Sequence, residues 1–167
     1  MIAACWWAGL RPAAAQSADQ VAAAFLFNFA KFIEWPPAAF AGGSAPVTIG
    51  FVGKASLAAT FEENVKGKNA NGREFVIKRL DGAAGAESCH IIFVADAGQA
   101  AAVLNAVKGK PVLTVGEGEA FLGAGGMIAF SRDGARLVFD VNVGALKAAE
   151  LKPDPKLEKA ARSVKRG

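Results

Sequence analysis

The sequence predicts an α/β fold: a single domain whose mostly parallel sheet is flanked by helices, with a C-terminal antiparallel edge hairpin. Three observations predict it. Short apolar runs such as VTIGFV (47–52) and CHIIFVA (89–95) lack the polar alternation of a half-exposed strand, so both their faces must be covered. Segments with helical spacing lie between them, as Leu57, Phe61 and Val65 do at i, i+4 and i+8, and this alternation is the pattern of a parallel sheet. Near the end, Arg132-Asp133-Gly134 separates two apolar runs, with Gly where a tight hairpin needs positive φ.

Residues 20–35, QVAAAFLFNFAKFIEW, form a strongly apolar helix whose polar members Asn28, Lys31 and Glu34 share one arc. Pro36-Pro37 ends it, because proline lacks the N–H that the helical ladder needs. Residues 38–46 are rich in small side chains and read as a flexible connector. A strand at 47–52 and a helix at 56–66 follow, and then a Gly-Lys-Asn-Ala-Asn-Gly turn. Next come a strand at 74–80, a loop at 81–87, a strand at 89–95, a helix at 99–107 and a strand at 111–115. The Gly-rich stretch 116–126 has room for one helical turn at most. The hairpin strands are 127–131 and 136–141, and the tail 143–167 forms one or two helices interrupted at Pro153 and Pro155.

The chain has 167 residues, 53% hydrophobic and 20% charged, with a net charge of +4. That length suits one domain able to bury a core without a metal or disulfide staple. The composition excludes a disordered chain and a disulfide scaffold, and the small positive charge gives no argument for nucleic acid. Met1 to Leu10 is a short apolar run, followed by Ala13-Ala14-Ala15, whose small residues suit a signal peptidase. Residues 1–15 are therefore expected to be a signal peptide cleaved after Ala15, leaving 16–167 as the domain. Two other readings of this end are a lipidated Cys5 and a retained N-terminal helix. Cleavage would remove Arg11, Cys5, Trp6 and Trp7, leaving Cys89 as the one thiol and Trp35 as the one indole. Cys89 is then either buried and inert or a route to an intermolecular bridge.

His90 is the one histidine, and within a strand its neighbour Cys89 points to the opposite face. A Ser-His-Asp or Cys-His catalyst is disfavoured on that ground, and one imidazole with one thiol does not make a zinc site. No cofactor and no metal are expected. Gly53-Lys54-Ala55-Ser56 follows a strand and opens a helix, but no Gly stands five positions before Gly53, where a phosphate loop has its first one. Gly116-Glu117-Gly118 starts like a dinucleotide fingerprint, but Phe121 replaces the third Gly and two glutamates would repel a pyrophosphate. Both read as turns, although the helix start near Gly53 offers bare N–H groups to an anion. The tail residues Lys147, Lys152, Lys156, Lys159, Arg162, Lys165 and Arg166 accompany an apolar stripe of Leu157, Ala160, Ala161 and Val164. That pattern reads as an amphipathic helix packed on the sheet, or as a surface drawn to anionic lipid.

The segment Ala24-Phe25-Leu26-Phe27-Asn28-Phe29-Ala30-Lys31-Phe32-Ile33-Glu34-Trp35-Pro36 resembles the opening signature of the YfiR-like proteins, an exported bacterial family. The segments 47–53, 71–73, 89–94, 113–116, 125–128 and 139–142 follow the same order, so the resemblance spans essentially the whole mature chain. It implies a periplasmic α/β protein, often dimeric. The family's best-studied members bind the periplasmic part of an inner-membrane diguanylate cyclase and hold it inactive, until redox state or outer-membrane partners relieve the block. In that regulator Cys89 would pair with a cysteine on the first strand, but here the corresponding position is Gly50, and the second cysteine pair is missing.

The resulting expectation is a non-enzymatic regulator that contacts its partner through the apolar faces of its first and last helices. Asn28, Lys31, Arg73, His90, Glu117 and Asn142 are the polar candidates for ligand or partner binding. Each has a second reading, in which it ties down a loop or a helix end. The alternative function is a periplasmic protein binding a small anion or metabolite near Gly53–Ser56.

Overall fold

The structure is a computed structural model and describes residues 18–166. Its elements run α1 (Ala18–Phe32), β1 (Ile33–Glu34), β2 (Val47–Val52), α2 (Ala55–Val65), β3 (Phe75–Leu80), β4 (Ile91–Val94), α3 (Ala100–Ala106), β5 (Leu113–Glu117), α4 (Glu119–Gly123), β6 (Ile128–Asp133), β7 (Arg136–Asn142), α5 (Val143–Ala148), β8 (Lys152–Pro153), α6 (Pro155–Ala160) and β9 (Ser163–Lys165). Short 3₁₀ turns occupy Pro37–Ala39, Ala86–Ser88 and Ala97–Gln99. None of the helices in this range is long and apolar enough to cross a membrane.

Seven strands form one sheet in the order β3-β2-β4-β5-β6-β7-β9. The strands from β3 to β6 are parallel, β6 and β7 form the antiparallel hairpin, and β9 runs parallel to β7. Succession reverses on either side of β2: the chain moves outward to β3, then crosses back to β4. As expected, every residue of β2 and β4 is buried, because helices cover both faces. Ile49, Phe51, Ile91, Phe93, Leu113 and Val115 point to one face, where they meet α1, α2 and Leu157. Val52, Ile92, Val94 and Ala129 point to the other and meet Val103, Phe121 and Leu122. Phe25 and Phe29 pack on Phe130 and, edge-on, on Phe139 across the first face, with ring centroids 5.0 to 5.9 Å apart.

Four expectations change. The first helix ends at Phe32, because Pro36 disfavours helical geometry at Trp35 and Ile33–Glu34 instead pair with Lys152–Pro153. The strand expected over 111–115 runs from Leu113 to Glu117, so Gly116 is a strand residue paired with Ala129. The tail forms two helices, α5 and α6, broken around Pro153 and Pro155 as expected, but it also contributes two short strands, β8 and β9, and of the expected stripe only Leu157 is buried. The connector is not free: Arg73 and His90 hold it to the sheet, as described below. The hairpin turn is as expected, with Gly134 at φ +62, although β9 lies outside β7 and takes the edge position. The expected leader 1–15 lies outside the described residues.

Candidate functional site

The end of α1 leads through β1 to Trp35, which is buried at 8% exposure beneath the start of the connector. Its indole Nε1 donates to the His90 carbonyl at 3.2 Å. His90 sits just before β4, at the N-terminal edge of the parallel sheet, where its ring stacks on Phe40 with centroids 4.3 Å apart. Nδ1 of His90 accepts the Thr48 N–H at 2.9 Å, and Nε2 lies 2.8 Å from the Ala39 carbonyl oxygen. A carbonyl only accepts, so Nε2 carries the proton and the ring is neutral. Burial pushes the His90 pKa below its usual value. The Ala39 bond opposes that effect, and the nearby Arg73 charge adds to it.

Arg73 closes the Ala70–Arg73 turn and lies over the Phe40 ring at 3.7 Å. Its Nη1 donates to the Gly42 and Ala45 carbonyls at 2.9 and 2.7 Å. Arg73 and His90 thus meet around one ring, Phe40, which no periodicity or motif in the sequence marks. Pro36-Pro37 was its only local signal. Beside this stack lies an open groove of about 380 Å³ lined by Glu34, Trp35, Pro36, Pro37, Lys147, Glu150, Leu151 and Lys152. The last part of the N-terminal signature faces the segment after α5 there, with two acids, two lysines and apolar walls.

The other candidates disperse. Asn28 is exposed on α1. Lys31 is exposed, its ammonium 5.5 Å from the Phe27 ring, and its carbonyl accepts the Asn71 amide at 3.2 Å. Asn142 caps α5, accepting the Ala145 N–H at 3.1 Å. Glu117 lies at the opposite, C-terminal end of the parallel strands. There Lys54 Nζ stands 3.3 Å from Glu117 and 3.4 Å from Asp19. Lys54 has left-handed backbone geometry, with φ 52 directly after Gly53 at φ 80. A small cavity of about 180 Å³ adjoins this cluster and is lined by Lys54, Glu117, Ser131 and Arg132 among others. The buried Ser131 Oγ has no hydrogen-bond partner among the described residues.

The apolar face of α1 is not free for a partner, since Ala22, Ala23, Leu26, Phe29 and Ala30 are buried within the chain. Cys89 is 3% exposed, and burial pushes its thiol up, out of the reactive range. Its Sγ faces Gly50, where a built Cβ would lie 2.9 Å away. Among the described residues no group of His, Cys, Asp and Glu gathers as a metal site.

A family model described as YfiR/HmsC-like matches residues 19–162. Among solved structures, a conserved domain protein from Vibrio cholerae O1 biovar El Tor superposes with a TM-score of 0.55 at 13% identity. That match covers 71% of this chain and 54% of the other. The ABC domain from Streptococcus pneumonia, solved in complex with L-Trp, gives a TM-score of 0.50 at 11% identity, over 71% of this chain and 56% of its own. The chain therefore spans about half the length of these two structures, and at such identities the likeness is one of fold. No curated protein matches the chain in sequence.

Proposed function

Because the chain belongs to the YfiR/HmsC-like family, we propose that it is a non-enzymatic periplasmic regulator that binds, and represses, a membrane-anchored diguanylate cyclase. The family match over residues 19–162 is the observation that carries this reading. The chemistry of the chain supports it. The single histidine has both ring nitrogens engaged by backbone groups, and the described thiol is buried. The surface offers instead a groove at the end of the family signature, with Glu34, Glu150, Lys147 and Lys152 along an apolar floor. Such a mixture suits a protein partner, where a polar rim surrounds an apolar centre. The exposed basic residues Lys152, Lys156, Lys159, Lys165 and Arg166 of the tail suit a complex formed close to anionic lipid, each worth about 1 kcal/mol near that surface.

The test is intracellular cyclic di-GMP in the host with the gene deleted and then restored. Repression predicts a rise on deletion that reverses on complementation, and an unchanged level would reject the cyclase as partner. A second reading, a small-ligand-binding protein, draws on the cavity beside Lys54 and on the unpartnered Ser131 Oγ. Asp19 and Glu117 neutralise much of the Lys54 charge, which weighs against a simple anion. A ligand there at a hundred times its Kd would stabilise the fold by about 2.7 kcal/mol, so a flat melting temperature across a metabolite panel would remove this reading.

A further inference from the structure

The His90 ring has no room for a second proton. Nε2 already carries one toward the Ala39 carbonyl, so another must enter on Nδ1, where it would face the Thr48 N–H at 2.9 Å. Two donors would then oppose each other, and the amide of the buried Thr48 would lose its acceptor. The same proton would place a positive charge against Phe40, the ring that already carries the Arg73 guanidinium at 3.7 Å. Arg73 is the charged group in this cluster. The other side chains around the ring, from Trp35, Phe40 and Thr48, bring no charge.

These contacts also hold the connector. Ala39 is tied to His90, and Gly42 and Ala45 are tied to Arg73. The segment's other backbone bonds close turns within itself: Ala39 N–H to Pro36, Phe40 N–H to Pro37, and Ala45 N–H to Gly42. Residues 41–44 are exposed. Local opening is governed by few contacts of this kind.

We propose that His90 is an acid-sensitive latch: when neutral it pins residues 37–46 over the N-terminal edge of the sheet, and its protonation releases that segment and uncovers Trp35, whose ring packs edge-on against Phe40 beside the open groove. The periplasm follows the pH of the surroundings, so a periplasmic protein with this latch would expose Trp35 at the wall of its groove under mild acid. The latch does not depend on which partner, if any, occupies the groove.

The test uses the full-length chain, in which one histidine makes the imidazole resonances unambiguous. Nitrogen NMR at about pH 7.5 is expected to show a bare Nδ1 and a protonated Nε2. Lowering the pH to about 5 is expected to speed exchange of the Thr48, Ala39, Phe40 and Ala45 amides about tenfold after correction for intrinsic chemistry, with β4 amides unmoved. The midpoint of that change should coincide with the His90 titration. In His90→Gln, a neutral amide can accept from Thr48 and donate to Ala39, and the exchange should lose its pH dependence. If that variant does not fold, Arg73→Gln serves: the segment should exchange faster at every pH while the His90 midpoint rises. Wild-type exchange that stays flat through the His90 titration would overturn the latch, as would equal acceleration in His90→Gln.

Discussion

Gly50 and Cys89 show how much one missing Cβ can decide. The Cβ of any larger residue at position 50 would stand 2.9 Å from the Cys89 Sγ and 3.0 Å from Leu80 Cδ1. That is too close for unbonded atoms but suits a sulfur bonded between β2 and the end of the 3₁₀ turn that precedes β4. Gly50→Cys should therefore form a disulfide with Cys89 and, under non-reducing conditions, add about 3–4 kcal/mol of stability. The check is a melting temperature that falls when reductant is added. Gly50→Ala should instead lower stability in either condition, since Cys89 has to give way. Gly116 and Gly126 are a second case. A Cβ at either would enter the Phe121 ring, at 2.5 and 2.2 Å, so the Gly-rich stretch is a seat for that ring and not a phosphate cradle. Gly116→Ala should cost about 1–3 kcal/mol by overpacking, measured by urea denaturation.

At the scale of elements, β9 is the strand the sequence conceals. Ser163–Lys165 has no apolar run and follows a short helix, so neither periodicity nor turn chemistry marks it. Asp140 fixes it in place. Its carboxylate is 3% exposed, and it accepts from Arg162 Nε at 3.0 Å and from Ser163 Oγ at 2.8 Å. Asp140→Asn keeps the shape but removes the charge that pairs with Arg162. It should release β9, seen as faster exchange of the Ser163–Lys165 amides while the β2 and β4 amides stay protected. The short β1–β8 pair is concealed for a similar reason: two residues on each side carry no period, and only the docking of the tail brings them together. By contrast, β2, α2, β4 and the β6–β7 hairpin lie close to where the periodicity puts them, because burial on both faces and a tight turn leave local marks.

At the scale of the whole molecule, two groups shape stability on the acid side. Burial holds His90 below its ordinary pKa, so as the pH falls through about 6.5 the unfolded chain takes up a proton before the folded one does. Stability therefore drops with pH in that window, between the ordinary value and the lower folded one. For Asp140, burial alone would raise the pKa, but the bonds from Arg162 and Ser163 outweigh it and hold the carboxyl lower. Its contribution is present above the ordinary carboxylate range, near 4, and is lost as the pH falls through the folded value. Thermal melts across pH should show two successive losses, and His90→Gln should abolish the first alone.

The polar candidates were legible as residues but not as a site. Asn28 and Lys31 follow helical spacing onto one exposed arc, whereas nothing in the sequence joins Arg73 to His90, because the ring between them belongs to a connector that looks featureless. What the sequence by itself determined is the layered α/β plan, since the apolar period of each segment reports which faces must leave water. Only the tertiary structure decided where α1 stops, that β9 edges the sheet, and that Phe40, Arg73 and His90 form one stack. Those depend on contacts between segments 23 to 120 residues apart, and such contacts leave no period in the chain.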